Sequence, residues 1–289
     1  MVSSAALFSF FKDVFFIDIL HYLCYNSLEN PKKEILKMKS FKERVLSGEF
    51  LCGTHISLND TCIAKIVGLL GFDYIWIDME HSYLTYENLL NEMMILQAMD
   101  VPVVVRVPQH DLTATKKILE MGPDGIVFPM VRSKDEMEEL LSMSLYPPYG
   151  KRGFGPGNAI SYGISDVKEF VKNHHKTMCR FVQIEHIDLV NQLDQVVTNP
   201  YVDGFIFGAN DLSGSIGELT NIHGENVQSL ITKSIEILKK NNKCIGLSTD
   251  EILPEQIRFW KDLGINMISA GAERSGLVKH FRAIRKAFD

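Results

Sequence analysis

RFVQIEHIDLVNQLDQVVTNPYVDGFIFGAND, residues 180–211, contains one complete strand, helix and strand unit. RFVQIE (180–185) and GFIFGAN (204–210) are short, continuously apolar runs, whereas DLVNQLDQVVT between them repeats apolar residues at three- and four-residue spacing. A strand that is apolar throughout, rather than alternating, is buried on both faces, as in a parallel sheet covered by helices. The same grammar runs through the chain. LCGTHISL (51–58), YIWIDME (74–80), VPVVVRV (101–107), GIVFPMV (125–131), CIGLSTD (244–250) and MISAG (267–271) bring the strands to eight. Amphipathic stretches such as ENLLNEMMILQAM, LTATKKILEMG, KDEMEELLSMSLY, ENVQSLITKSIEILKKN and PEQIRFWKDLG fall between them. Eight such units in one run predict an α/β fold, a closed (β/α)8 TIM barrel. The rival, a doubly wound open sheet, lacks its signature, because no G-x-G-x-x-G follows the first strand.

Composition bounds the rest. The 289 residues are 46% hydrophobic and 23% charged, enough for one barrel with a large core, and the formal net charge of −6 offers nucleic acid no basic footprint. Cys24, Cys52, Cys62, Cys179 and Cys244 stand singly with no C-x-x-C pair, which reads as reduced thiols in a cytoplasmic protein. The twelve methionines fall mostly on apolar helical faces and read as core filling. Residues 1–37 differ: AALFSFFKDVFFIDILHYLCY is aromatic-rich, but Lys12, Asp13, Asp18 and His21 interrupt it. It is too short and polar to span a bilayer, and it lacks the charged start and cleavage site of a signal peptide. The expectation is a leader at 1–37 outside the fold, no membrane partner, and a single barrel domain over 38–289.

A barrel enzyme carries its chemistry at the C-terminal ends of its strands. Here those ends gather His55, Asp78, Glu80, His81, Arg106, Gln183, Glu185, Asn210, Asp211 and Ser248. Each has a bland explanation alone: His81 or Asp211 could cap a helix, and Arg106 could pair with a surface carboxylate. Together they suggest more. Glu185 and Asp211 end consecutive strands, so they can share one Mg²⁺ or Mn²⁺ and leave positions for a chelating 2-oxo acid. Arg106 could then hold a developing oxyanion and His81 could move a proton. Lys116 and Lys117 fall within a helical pattern, away from strand tips, which disfavours a Schiff-base mechanism.

GFDYIWIDMEHSYLTYENL, VVVRVP, KKILEMGPDGIVFPMV, YPPYGKRGFGPGNA, VQIEHIDLVNQLDQV and VDGFIFGANDLSGSIGEL resemble, in order and spacing, the HpcH/HpaI family of class II, metal-dependent pyruvate aldolases over about residues 45 to 275. The family cleaves substrates such as 4-hydroxy-2-oxoheptanedioate and 2-keto-3-deoxy sugar acids. The resemblance implies a barrel of the phosphoenolpyruvate/pyruvate type and a divalent cofactor, Mg, Mn or Co. It implies metal ligands Glu185 and Asp211, catalytic base His81 and enolate-stabilising Arg106. Gln183 contacts pyruvate on the same reading, the main chain of Ala209, Asn210 and Asp211 grips its carboxylate, and Asp78 lies near the metal. The family's L-D-x-G aspartate, which pairs with the histidine, is Glu120 here, so Glu120 is expected to support His81. Two more departures are His55 in place of a frequent Trp, on the aldehyde wall, and Gly208-Ala209-Asn210 in place of Gly-Pro. Homo-hexamers with exchanged C-terminal helices are common in the family.

The implied reaction is reversible retro-aldol cleavage of a 4-hydroxy-2-oxo acid to pyruvate and an aldehyde. Other enolate chemistry, namely oxaloacetate decarboxylation or cleavage of a citryl or malyl thioester, is the alternative, and a non-catalytic barrel that binds an oxo acid is another. YPPYGKRGFGPG, with Lys151 and Arg152, suits either a loop over an anionic substrate or an ordered connection.

Overall fold

All eight apolar runs become strands of one closed parallel barrel in the computed structural model, which describes residues 39–289. The leader expected at 1–37 lies outside the described residues. The elements are α1 Phe41–Leu46, β1 Leu51–Ile56, α2 Thr61–Leu69, β2 Tyr74–Asp78, α3 Tyr86–Gln97, β3 Val103–Arg106, α4 Leu112–Glu120, β4 Gly125–Phe128 and α5 Lys134–Met143. A 3-10 turn, Asn158–Gly163, precedes α6 Val167–Thr177 and β5 Cys179–Ile184. Then come α7 Ile187–Val190, α8 Leu193–Val196, β6 Gly204–Gly208, α9 Ala209–Ser215, α10 Glu225–Lys240, β7 Cys244–Thr249, α11 Pro254–Leu263, β8 Met267–Ala272 and α12 Glu273–Lys286. Consecutive strands pair in parallel, and β1 pairs with β8 to close the ring.

The helix starts follow from residue chemistry. Asp60, Thr85, Asp111, Ser133 and Asp166 each accept a hydrogen bond from a main-chain N–H in the first turn of the next helix. The continuously apolar strands divide their side chains between two cores. Leu51, Tyr74, Trp76, Val104, Val127, Phe181, Ile206 and Met267 fill the barrel, and a larger set including Ile75, Ile77, Val103, Val105, Val182, Ile184, Phe205 and Phe207 packs under the helices. Residues two apart on a strand share a face, so the tip side chains above the inner set open into the mouth. The foot is plugged by α1, which carries a capping box between Ser40 and Glu43 and buries Phe41 and Val45 in the inner core. Helix α1 thus closes the barrel at this end.

Helix α12 differs from the others in burying none of its residues, and it leaves Leu277, Val278, Phe281 and Ile284 exposed. The four cysteines among the described residues are free. Among the described residues, no helix is long and apolar enough to cross a membrane.

One close approach inside the barrel depends on glycine. A Cβ on Gly53 would lie 2.6 Å from the Tyr74 ring, which is buried at the paired position of the next strand. We expect Gly53→Ala to destabilise the fold by about 1–3 kcal/mol in urea unfolding, the range of core overpacking. Gly53→Ala combined with Tyr74→Leu should recover part of that loss.

Candidate active site

A cavity of about 190 Å³ opens at the C-terminal mouth of the barrel. Its walls include His55, Asp78, His81, Arg106, Gln183, Glu185, Ala209, Asn210, Asp211 and Ser248, so the strand ends singled out in the sequence meet in one place. Its floor is a chain of hydrogen bonds across strands β2, β3 and β5. Arg106 Nε and Nη2 donate to Asp78 Oδ1 at 2.9 Å and Oδ2 at 2.6 Å. Arg106 Nη1 reaches Glu80 Oε2 at 3.0 Å and Gln183 Oε1 at 3.4 Å. Gln183 Nε2 in turn donates to Glu185 Oε1 at 2.8 Å. This network sets the Gln183 amide, because arginine can only donate and the carboxylate can only accept.

Glu185 is 2% exposed. Its second oxygen accepts from the main-chain N–H of Met130 at 2.8 Å, and Met130 adopts φ 49° to direct that N–H inward. Gly208, one strand over, leaves room for the carboxylate, since a Cβ there would lie 2.1 Å from Glu185 Oε1. Burial pushes the Glu185 carboxyl up to about 8, against the pull of the Met130 N–H and Arg106, and the negative charges of Asp211 and Glu80 add to the rise. Asp78 goes the other way: burial works against its ionisation, but the Arg106 guanidinium overrides it and holds the carboxyl below its usual range.

The donor set fits a hard divalent cation. Glu185 and Asp211 offer only oxygen, and the buried Glu185 has neutral donors rather than a cation in contact with it. Among the described residues no group of three His, Cys, Asp or Glu side chains is placed to hold a metal. A cation here would rest on two carboxylates and take its remaining ligands from substrate and water.

One sequence expectation changes. Glu120 does not line the cavity. It is the last residue of α4, a helix that runs from the mouth back to the foot, and its carboxyl lies against Gly155. The carboxylate beside His81 is Glu80, with Oε2 3.8 Å from His81 Nε2. Asp78 lines the same cavity as Glu185 and Asp211, grips Arg106, and accepts from the main-chain N–H groups of Glu80 and His81 at 3.0 and 3.3 Å. It thereby ties the arginine to the loop that carries the histidine. Lys151 and Arg152 also lie away from the mouth: Lys151 pairs with Glu139 and Arg152 is buried.

Sequence reasoning missed Met130 and the pairing role of Glu80. The D-x-E-H spacing contained a signal for Glu80, whereas nothing in PMV marks a main-chain donor. The β7 and β8 side of the cavity is polar, with His55, Ser248, Thr249, Asp250 and Arg274. His55 Nδ1 donates to the Gly271 carbonyl at 3.0 Å and Nε2 meets Ser248 Oγ at 3.1 Å. Burial lowers the His55 pKa, so this wall presents a neutral imidazole.

The chain is similar to known proteins of one family. The sequence model of the HpcH/HpaI aldolase/citrate lyase family matches residues 51–272. A hydroxypyruvate/pyruvate aldolase of Pseudomonas aeruginosa is 31% identical over 88% of this chain and 94% of its own length. A 2-keto-3-deoxy-L-rhamnonate aldolase of Escherichia coli is 28% identical over 81% of this chain and 86% of its own. The crystal structure of an HpcH/HpaI aldolase from Desulfitobacterium hafniense superposes with a TM-score of 0.80 at 24% identity, covering 86% of this chain and 96% of that one, and so shares the fold.

A carboxyl that ionises less readily in the fold than in the unfolded chain favours folding while protonated. For Glu185 that contribution is complete below about 4.5 and is lost as pH rises to about 8. Between those values the metal-free wild type should lose thermal stability relative to Glu185→Gln, and Mn²⁺ should restore it above pH 8. A Tm difference that stays flat across the window would contradict this account.

Proposed function

The chain belongs to the HpcH/HpaI aldolase/citrate lyase family, and from its mouth we propose a metal-dependent carbon–carbon lyase that reversibly cleaves a 4-hydroxy-2-oxo acid to pyruvate and an aldehyde. The observation that carries this reading is the convergence of Glu185 and Asp211 with the Gln183–Arg106–Asp78 chain and with His81 in a single cavity. Glu185 and Asp211 would hold the divalent cation, Mg²⁺, Mn²⁺ or Co²⁺, which when bound supplies Lewis-acid polarisation of the 2-oxo group.

The protein's own groups do the rest. Helix α9 begins at Gly208 without a side-chain cap, so the N–H groups of Ala209, Asn210 and Asp211 are available to the substrate carboxylate. His81, 62% exposed at the rim, accepts the C4 hydroxyl proton, and Glu80 steadies the resulting imidazolium. The C3–C4 bond then breaks, the aldehyde leaves, and its electron pair passes into the pyruvate enolate. Arg106, fixed by both oxygens of Asp78, keeps its positive charge beside the cavity where that negative charge develops. Protonation at C3 gives pyruvate. The neutral, polar wall of His55 and Ser248 favours an aldehyde that carries hydroxyl groups. The exposed apolar face of α12 is covered, on this reading, by a neighbouring subunit of a homo-oligomer.

Pyruvate release from 4-hydroxy-2-oxo acids should require metal: EDTA should abolish it and Mg²⁺, Mn²⁺ or Co²⁺ should restore it. His81→Ala should lower kcat about 10²–10⁴-fold while leaving pyruvate binding in place. Near-wild-type turnover in EDTA or in Glu185→Ala would overturn the proposal. Asp78→Asn should lower kcat and also loosen Arg106, seen as a weaker affinity for pyruvate.

A further inference from the structure

The Met130 N–H that orients Glu185 is itself held in place, by residues outside the cavity. The group concerned is the peptide that joins Pro129 to Met130. Its N–H gives the 2.8 Å bond to Glu185 Oε2, and its carbonyl, on Pro129, accepts from His110 Nε2 at 2.5 Å. Among the described residues the cis peptide is Pro147–Pro148, so this one is trans, and its C=O and N–H point in opposite directions. The strand order agrees. β4, which ends at Phe128, lies between β3, which leads to His110, and β5, which leads to Glu185.

The other ring nitrogen is engaged as well. His110 Nδ1 lies 3.0 Å from Glu136 Oε1 in the first turn of α5, and Glu136 Oε2 accepts from the Arg132 N–H at 2.7 Å. The Pro129 carbonyl and the Glu136 carboxylate only accept, so both nitrogens of the ring donate. His110 directly precedes Asp111, whose side chain caps α4. Its main chain therefore leads into one helix start while its ring is braced by another. His110, Glu136 and Pro129 do not line the cavity, so none of them is in place to touch a substrate there.

The brace answers a strain. Met130 stands at φ 49°, a left-handed conformation that is unfavourable for a residue with a side chain. Half a turn of the 129–130 peptide would relieve it by carrying Met130 to negative φ, but would swing the N–H away from Glu185 and bring a carbonyl to face the carboxylate. Strain of this kind persists only where the surroundings over-determine the backbone. Glu185 holds one end of the peptide and His110 holds the other.

We infer that His110, braced by Glu136, is a positioning residue for Glu185: it latches the Pro129–Met130 peptide so that the Met130 N–H fixes the orientation in which Glu185 meets a cation. The inference rests on the proposed role of Glu185 as a metal ligand, but the latch is a contact within the protein and is read without metal.

The test compares His110→Leu, which removes the donor, with His110→Gln, whose amide nitrogen reaches the place of Nε2. In the full chain, ¹⁵N-labelled at methionine and held in EDTA, exchange of the Met130 amide should quicken about tenfold in His110→Leu, the worth of one hydrogen bond, and stay near wild type in His110→Gln. The Kd for Mn²⁺ should likewise rise about tenfold in His110→Leu and return to near wild type in His110→Gln. In a Met130→Gly background the left-handed backbone carries no penalty, so His110→Leu should weaken Mn²⁺ binding by less than about threefold. A merely structural role for His110 would give equal losses in both backgrounds. If His110→Leu does not fold, His110→Asn, whose shorter amide stops short of Pro129, takes its place. A wild type that binds no Mn²⁺ would overturn the metal reading of the mouth, and the Met130 amide would then decide the latch alone. Unchanged Met130 exchange in a folded His110→Leu, or equal Mn²⁺ losses in the Leu and Gln variants, would overturn the inference.

Discussion

The mouth of this barrel is organised by the need to neutralise one nearly buried guanidinium. Arg106 is 7% exposed and cannot shed its charge, so its surroundings must supply opposite charge and oriented acceptors. Asp78 supplies both oxygens in the planar geometry that arginine requires, Glu80 meets Nη1, and the Gln183 carbonyl lies beyond. The arrangement propagates outward in two directions. Asp78 also holds the N–H groups of Glu80 and His81, which positions the rim, while Gln183 hands the polarity on to Glu185, which positions the floor. One ion pair therefore couples the proton-handling side of the site to the carboxylate side, and the three strands that bear them are fixed in register by the barrel itself.

The fold was legible because closure of a parallel barrel leaves a crude mark: eight runs apolar on both faces, each followed by a helix, with a polar N-cap after each of the first four. The site was legible to the extent that position along a strand determines position in the barrel. Glu185, Gln183, Arg106 and Asp78 all sit at strand tips, and the strand period puts Gln183 and Glu185 on one face. Helix-borne and loop-borne groups obey no such rule. Glu120 is far from His81 because a helix returning to the foot carries its last residue away from the chemistry, a fact that a local motif does not contain. Met130 contributes through a left-handed main chain at a non-glycine residue, which is set by tertiary packing and not by its own preference. Asp78 stands at the strand tip where the sequence put it, but its pairing with Arg106 was not legible, since a strand-tip carboxylate does not name its neighbour.

The two ends of the barrel treat buried charge differently. At the mouth, Arg106 meets Asp78 and Glu80 at the end of the adjacent strand β2, and Glu185 and Asp211 are the acids left for other partners. At the foot, Arg152 and Arg180 are buried, and among the described residues each keeps guanidinium nitrogens with no hydrogen-bond partner. The long connection between α5 and α6 is responsible: it folds across the foot, turns Arg152 inward beneath Tyr146, and leaves Lys151 outside on Glu139. A segment that in sequence resembles a substrate lid is in structure part of the base.

Gly208 has a consequence for how this site can change over evolutionary time. Its missing side chain is where the Glu185 carboxylate lies, so any mutation there pushes on the group that the chemistry depends on. The floor is thus closed to gradual variation. The wall formed by His55 and Ser248 carries no comparable constraint, and a new substrate range can be acquired there by single steps without disturbing the reaction beneath it.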